Sequence, residues 1–168
     1  NVTATPLERD FFYDANKPSS TILVPNLPLY PRGQPSVLSG TALDVVNLAA
    51  QTPSGILRVE LAVQETVSGS YWKGTTGLGG FAAGETWRLT ASTPSGTPVP
   101  WSYPSFGDTI PTWVDGISYT VRVRAFDRAL AVEAPEQSYA FTYDQNSPTT
   151  TVTGPSFADF VPSPSTIT

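Results

Sequence analysis

Large apolar residues alternate with polar ones through five separate stretches of the chain. In Leu57-Arg58-Val59-Glu60-Leu61-Ala62-Val63 the large apolar side chains hold the odd positions. Tyr119-Thr120-Val121-Arg122-Val123-Arg124-Ala125 has the same parity, as do Trp87-Arg88-Leu89-Thr90-Ala91, Val99-Pro100-Trp101-Ser102-Tyr103 and Tyr139-Ala140-Phe141-Thr142-Tyr143. A period of two is the signature of a half-buried strand, with one face on a core and one in water. Turn words separate the runs: Pro53-Ser54-Gly55, the glycine-rich stretch 74–84, Ser95-Gly96 and Asp115-Gly116. No segment keeps a helical period over ten residues. The pattern predicts strands at 20–25, 36–43, 55–66, 85–92, 98–104, 117–126 and 137–144, with a hairpin or decorated loop over 67–84 around Tyr71 and Trp72. Shared parity predicts a core of Leu57, Val59, Leu61, Val63, Trp87, Leu89, Trp101, Tyr119, Val121, Val123 and Phe141. About seven short strands at regular spacing describe an all-β antiparallel sandwich.

One word occurs twice. Residues 11–18 read FFYDANKP and residues 141–148 read FTYDQNSP, an offset of 130. Phe11 and Phe141, Tyr13 and Tyr143, Asp14 and Asp144, Asn16 and Asn146, and Pro18 and Pro148 all keep it. STILVP at 20–25 likewise faces TTVTGP at 150–155. Self-similarity at a fixed spacing marks tandem repeats. The expected organisation is the last strand of a preceding repeat at 1–15, a complete repeat at 16–148, and the first strand of a following repeat at 149–168. With no methionine in the chain, residue 1 is expected to be something other than a translation start.

Several words resemble the bacterial immunoglobulin-like repeats of long surface proteins. They are SGTALD at 39–44, GILRVELAVQ at 55–64, SYWKG at 70–74, YTVRVRAFD at 119–127 and the FxYDxNxP junction. The segment Asp115-Gly116-Ile117-Ser118-Tyr119 resembles the turn into strand F of an immunoglobulin or fibronectin III sandwich. There a tyrosine lays its ring on the core and bonds its hydroxyl back to the turn. The resemblance departs after YTVRVRAFD, where Arg128-Ala129-Leu130-Ala131 replaces the family's usual glycine-asparagine turn. It implies an immunoglobulin-like fold, an extracellular or cell-surface location, and a structural role.

Composition narrows the function classes. The net charge is −5 and only Lys17 and Lys73 are lysines, which gives no electrostatic footprint for nucleic acid. No apolar run approaches the ~20 residues of a membrane span. Cysteine and histidine are both absent, which removes disulfides, thiolate and imidazole metal ligands, and histidine-based catalysis. Glu60 falls on the polar face of its strand, and Arg122 and Arg124 on that of theirs. In an immunoglobulin-like sandwich these strands are neighbours, so an ion-pair ladder is expected rather than a catalytic carboxylate. The chain is therefore read as a non-enzyme with no required cofactor.

Three groups of residues are candidates for binding. Asp14, Asn16, Asp44 and Asp127, with Glu133 further along the same loop, converge at one end of an immunoglobulin-like sandwich. Hard oxygens there suit calcium at a domain junction, and turn capping by Asp and Asn is the competing role. Tyr71, Trp72 and Trp113 lie near glycines and prolines, where exposed rings would contact a glycan or surface receptor; buried aromatics filling the sandwich are the alternative. Phe11, Tyr13, Phe141 and Tyr143 are expected to serve assembly with neighbouring repeats of the same chain or with adjacent fibre subunits. The expected function is a structural repeat of an extracellular stalk, adhesin or filament. The alternatives are a glycan- or ligand-binding module, and a self-assembling fibre subunit that donates its N-terminal strand to a neighbour.

Overall fold

A computed structural model describes residues 13–45, 52–75, 80–92 and 96–153. Phe11 and most of the expected flanking strands, 1–12 and 154–168, lie outside the described residues. The described chain is all-β and has no helix. Its strands are β1 (Ser19–Val24), β2 (Leu29–Tyr30), β3 (Leu38–Leu43), β4 (Ile56–Glu65), β5 (Tyr71–Trp72), β6 (Phe81–Ala82), β7 (Arg88–Leu89), β8 (Ala91–Ser92), β9 (Val99–Tyr103), β10 (Ser118–Asp127) and β11 (Gln137–Tyr143). One sheet has the order β1-β3-β9-β8; the other has β2-β11-β10-β4-β5-β6, with β7 on β4. The two form a β-sandwich-like pair. Pairing is antiparallel except between β2 and β11, which run parallel, so the second sheet is mixed rather than purely antiparallel.

Strand β10 is the spine of the larger sheet. Its odd positions, Tyr119, Val121, Val123 and Ala125, are fully buried. They meet Val59, Leu61 and Val63 of β4, Phe141 of β11, and Leu38, Trp101 and Tyr103 from the facing sheet in one cluster. Each large apolar side chain among them contributes roughly 1.5–3 kcal/mol by leaving water. The Tyr119 hydroxyl accepts the Val114 N–H at 2.9 Å, which ties the ring back to the turn before its strand. Gly40 makes room for this core. A Cβ there would lie 1.9 Å from the Thr21 carbonyl oxygen and 2.6 Å from the Trp101 ring.

Three expected core residues lie elsewhere. Leu57 is 39% exposed, and Ile56 takes the interior instead. The cause is a register shift: Phe126 pairs with Arg58, but Asp127 pairs with Ile56. One extra residue in β4 reverses its parity at that point. Trp87 and Leu89 fail for a different reason. The expected strand 85–92 divides, with Arg88–Leu89 pairing to β4 in one sheet and Ala91–Ser92 to β9 in the other. Residues that pass between sheets cannot keep the parity of either. Leu89 is half exposed, and Trp87 lies on the outer face, with the Arg124 guanidinium 3.9 Å from its ring centroid.

That outer face carries the expected ladder. Arg124 and Glu60 are direct cross-strand partners and their side chains meet at 2.9 Å. Arg122 turns instead to Glu136 and Glu85. Inside, two buried carboxylates pin the sandwich. Glu133 Oε1 accepts the Ser20 N–H at 2.7 Å; Oε2 accepts the Ser20 hydroxyl at 2.7 Å and the Ala125 N–H at 3.0 Å. This fastens β1 to β10 across the two sheets. Asp108 Oδ2 accepts the Tyr103 hydroxyl at 2.6 Å and Arg88 Nη2 at 2.6 Å, while Oδ1 accepts the Thr75 N–H at 2.7 Å. Tyr103 in turn accepts the Trp72 indole N–H at 2.9 Å.

Burial alone would raise the Asp108 carboxyl. Hydrogen bonds from Tyr103, the Thr75 N–H, Arg88 and the Thr109 N–H outweigh it and hold the group at about 2, below its ordinary 3.8. A depressed carboxyl stabilises the fold fully above its unfolded value and loses that contribution as pH falls through its folded value. Asp108 therefore contributes roughly 2 kcal/mol that disappears between about pH 4 and pH 2, at about 1.4 kcal/mol per pH unit. Denaturant unfolding of Asp108→Asn across that range should show a shallower acid limb than the native chain. Two parallel limbs would show that Asp108 is not the group that titrates.

Candidate metal centre

The alternation that builds the core also builds the site. In β3 the buried row runs Leu38, Gly40, Ala42 and continues one step past the strand to Asp44. In β10 it runs Tyr119, Val121, Val123, Ala125 and ends at Asp127. The two strands belong to opposite sheets. Each inward row thus ends in a carboxylate, and the two carboxylates come together at the same end of the sandwich. Asp14 closes the group from the segment leading into β1. One ligand oxygen from each of Asp14, Asp44 and Asp127 lies within 4.8 Å of the others.

Asp127 is 0% exposed and Asp44 is 8% exposed. Asp44 Oδ2 accepts the Gly55 N–H at 2.6 Å and the Ser54 hydroxyl at 3.3 Å. Asp127 Oδ1 accepts the Ala131 N–H at 2.8 Å. The other oxygen of each, Asp44 Oδ1 and Asp127 Oδ2, is buried with no hydrogen-bond partner. An unsatisfied carboxylate oxygen in the interior is costly. Burial pushes the Asp44 carboxyl above the ordinary range against the Gly55 N–H bond, and the charges of Asp14 and Asp127 push it further. Asp14 moves the other way. The Ser54 N–H, at 2.8 Å, and the Asn16 N–H, at 3.0 Å, lower it.

A divalent cation seated between the three carboxylates would offset the repulsion and give the orphaned oxygens a partner. Oxygens bound to one calcium at about 2.4 Å can lie no more than about 4.8 Å apart, and this cluster meets that limit. Three carboxylates and no softer ligand match a hard ion such as calcium. The capping role expected as the alternative is also present, because each carboxylate holds backbone N–H groups of its loops. Asn16 acts on the group through its own backbone, fixing Asp14. A cleft lined by Asp14, Thr52, Pro53, Ser54, Arg128 and Ala129 opens beside the cluster.

The other sequence candidates do not converge. Trp72 faces the core rather than solvent, with its indole N–H given to Tyr103. Trp113 packs edge-on against Tyr119 and Phe141, with ring centroids 4.9 and 5.2 Å away, and its N–H goes to the Pro35 carbonyl at 2.9 Å. Tyr71 is half-buried beside Arg122. These rings fill and edge the sandwich; they do not form a surface platform. Of the assembly residues, Phe141 and Tyr143 are buried and Tyr13 is exposed. Glu133 belongs to the β1–β10 pin, and Asp108 and its partners were not anticipated at all.

The chain matches no family model, no curated protein and no solved structure.

Proposed function

We propose that this chain is an immunoglobulin-like structural repeat of an extracellular stalk, adhesin or filament, stiffened by calcium held between Asp14, Asp44 and Asp127. The observation that carries the reading is where the chain comes in and where it leaves. Asp14 lies beside Asp127, at the C-terminal end of β10. Tyr143 lies at the other end, its carbonyl accepting the Gly116 N–H at 2.8 Å and its N–H donating to the Ile117 carbonyl just before β10 begins. The two points are separated by the ten residues of β10, roughly 30 Å of strand. A unit crossed from end to end adds its full length to a rod.

The same geometry suits load. Strand β2 follows the incoming segment along the chain and runs parallel to β11, the strand from which the chain leaves. The Thr142 N–H donates to the Pro28 carbonyl and the Asp144 N–H to the Tyr30 carbonyl, each at 2.9 Å. Tension between the ends shears these bonds together rather than peeling them singly. The ion joins the incoming segment to both sheets and so closes the opposite end.

Calorimetry on the 168-residue chain is expected to show one calcium site. At a free-ion level a hundredfold above Kd, binding stabilises the fold by about 2.7 kcal/mol, a rise in Tm of roughly 5–10 °C at this size. Asp44→Asn should weaken binding tenfold or more. Pulled by its two ends, the chain should unfold at higher force in calcium than in chelator. A flat titration at millimolar calcium removes the ion from the reading; equal forces in the two conditions remove its mechanical role.

A further inference from the structure

The repeated junction word occurs in two structural settings, and the two are complementary. Tyr13 is 72% exposed, whereas its counterpart Tyr143 is 6% exposed. Beyond the aspartate the order reverses. Pro18 and Ser20 are buried, but Pro148 and Thr150 are exposed. Ile22 packs against the core, while its counterpart Val152 is 80% exposed. The backbone between is the same in both. The Asn16 N–H donates to Asp14 Oδ1 at 3.0 Å, and the Asn146 N–H donates to Asp144 Oδ1 at 2.9 Å. The part of the word that each copy leaves in water is the part that the other copy buries.

We propose that these are two halves of one joint, and that the partner seated on residues 144–152 is another sandwich of this same kind, continuous in sequence and attached without a linker. The inference rests on the stalk reading and adds its contact surface. Tyrosine belongs to the core of the sandwich behind. Proline, Ser/Thr and Ile/Val belong to the sandwich ahead, where Ser20 meets the buried Glu133 carboxylate. The aspartate is the crossing point. From behind, the Tyr30 carbonyl holds the Asp144 N–H at 2.9 Å. From ahead, the equivalent Asp14 carboxylate takes the Ser54 N–H and joins Asp44 and Asp127.

Asp115 acquires a role in this arrangement. Its Oδ1 accepts the Gln145 N–H at 2.8 Å and its Oδ2 accepts Asn146 Nδ2 at 2.7 Å. The sandwich behind therefore grips residues 145 and 146, while the sandwich ahead grips the carboxylate of residue 144. With consecutive residues bonded to different bodies, few free torsions remain between them. The exposure of Val152, unfavourable for an isolated unit, follows because its burial site is in the next sandwich.

The test is a tandem protein in which residues 1–143 are followed directly by residues 14–168, so that Tyr143 precedes Asp14 as it does Asp144. Relaxation of backbone amides in saturating calcium should give both units the correlation time of one elongated body. Asp115→Ser in the first unit should let the units tumble separately, with the Tm of each and the calcium stoichiometry unchanged. Separate tumbling of the unsubstituted tandem with calcium bound in both units overturns the joint and leaves the ion site standing. A rigid tandem that is indifferent to chelator upholds the joint and removes the ion from the stalk reading.

Discussion

Strand alternation in β10 is the constraint on which the other features depend. Once Tyr119 points inward, Val121, Val123, Ala125 and Asp127 must follow, because successive side chains leave opposite faces of a strand. The first four make the core and the last makes a charge in the interior. β3 imposes the same sequence of events from the facing sheet, through Leu38, Gly40 and Ala42 to Asp44. The acidic cluster is thus the end of the hydrophobic core, produced by the same period of two. Coulomb repulsion between two such carboxylates is on the order of 3 kcal/mol at an effective dielectric near 20. Backbone N–H groups from the loops around Ser54 and Ala131 offset part of it, and a bound cation would offset the rest.

How much of this was legible depended on whether the pattern stayed within one sheet. The rows in β4, β10 and β11 follow directly from alternation, and so does the burial of Trp101 and Tyr103. Leu57 breaks the rule because one extra residue in β4 shifts the register opposite Phe126 and Asp127. Trp87 breaks it because its segment changes sheets. Strands β2, β5 and β6 are two residues each, too short to carry any period. Trp72 reads locally as part of a turn, yet its ring packs in the core beside Phe81, and a hydroxyl 31 residues away accepts its N–H.

The candidate site was more legible than the polar framework around it. Asp44 and Asp127 were expected together because the immunoglobulin-like resemblance brings the ends of their strands to one end of the sandwich, and in the structure they occupy the next inward positions of their rows. The pins formed by Glu133 and Asp108 left no such mark. Their partners are Ser20 and Ala125 in one case, and Thr75, Arg88 and Tyr103 in the other. Side-chain hydrogen bonds across that much sequence have no periodicity to read. These pins also show how charge sits inside the sandwich: the Glu133 and Asp108 carboxylates each meet several donors, whereas in the acidic cluster Asp44 Oδ1 and Asp127 Oδ2 meet none.

Whether calcium occupies the acidic cluster is read directly by anomalous diffraction from crystals of the 168-residue chain grown with calcium. One anomalous peak is expected between Asp14, Asp44 and Asp127, about 2.4 Å from Asp44 Oδ1 and Asp127 Oδ2. Ordered carboxylates with no peak between them, at calcium levels that saturate the protein in solution, would contradict it.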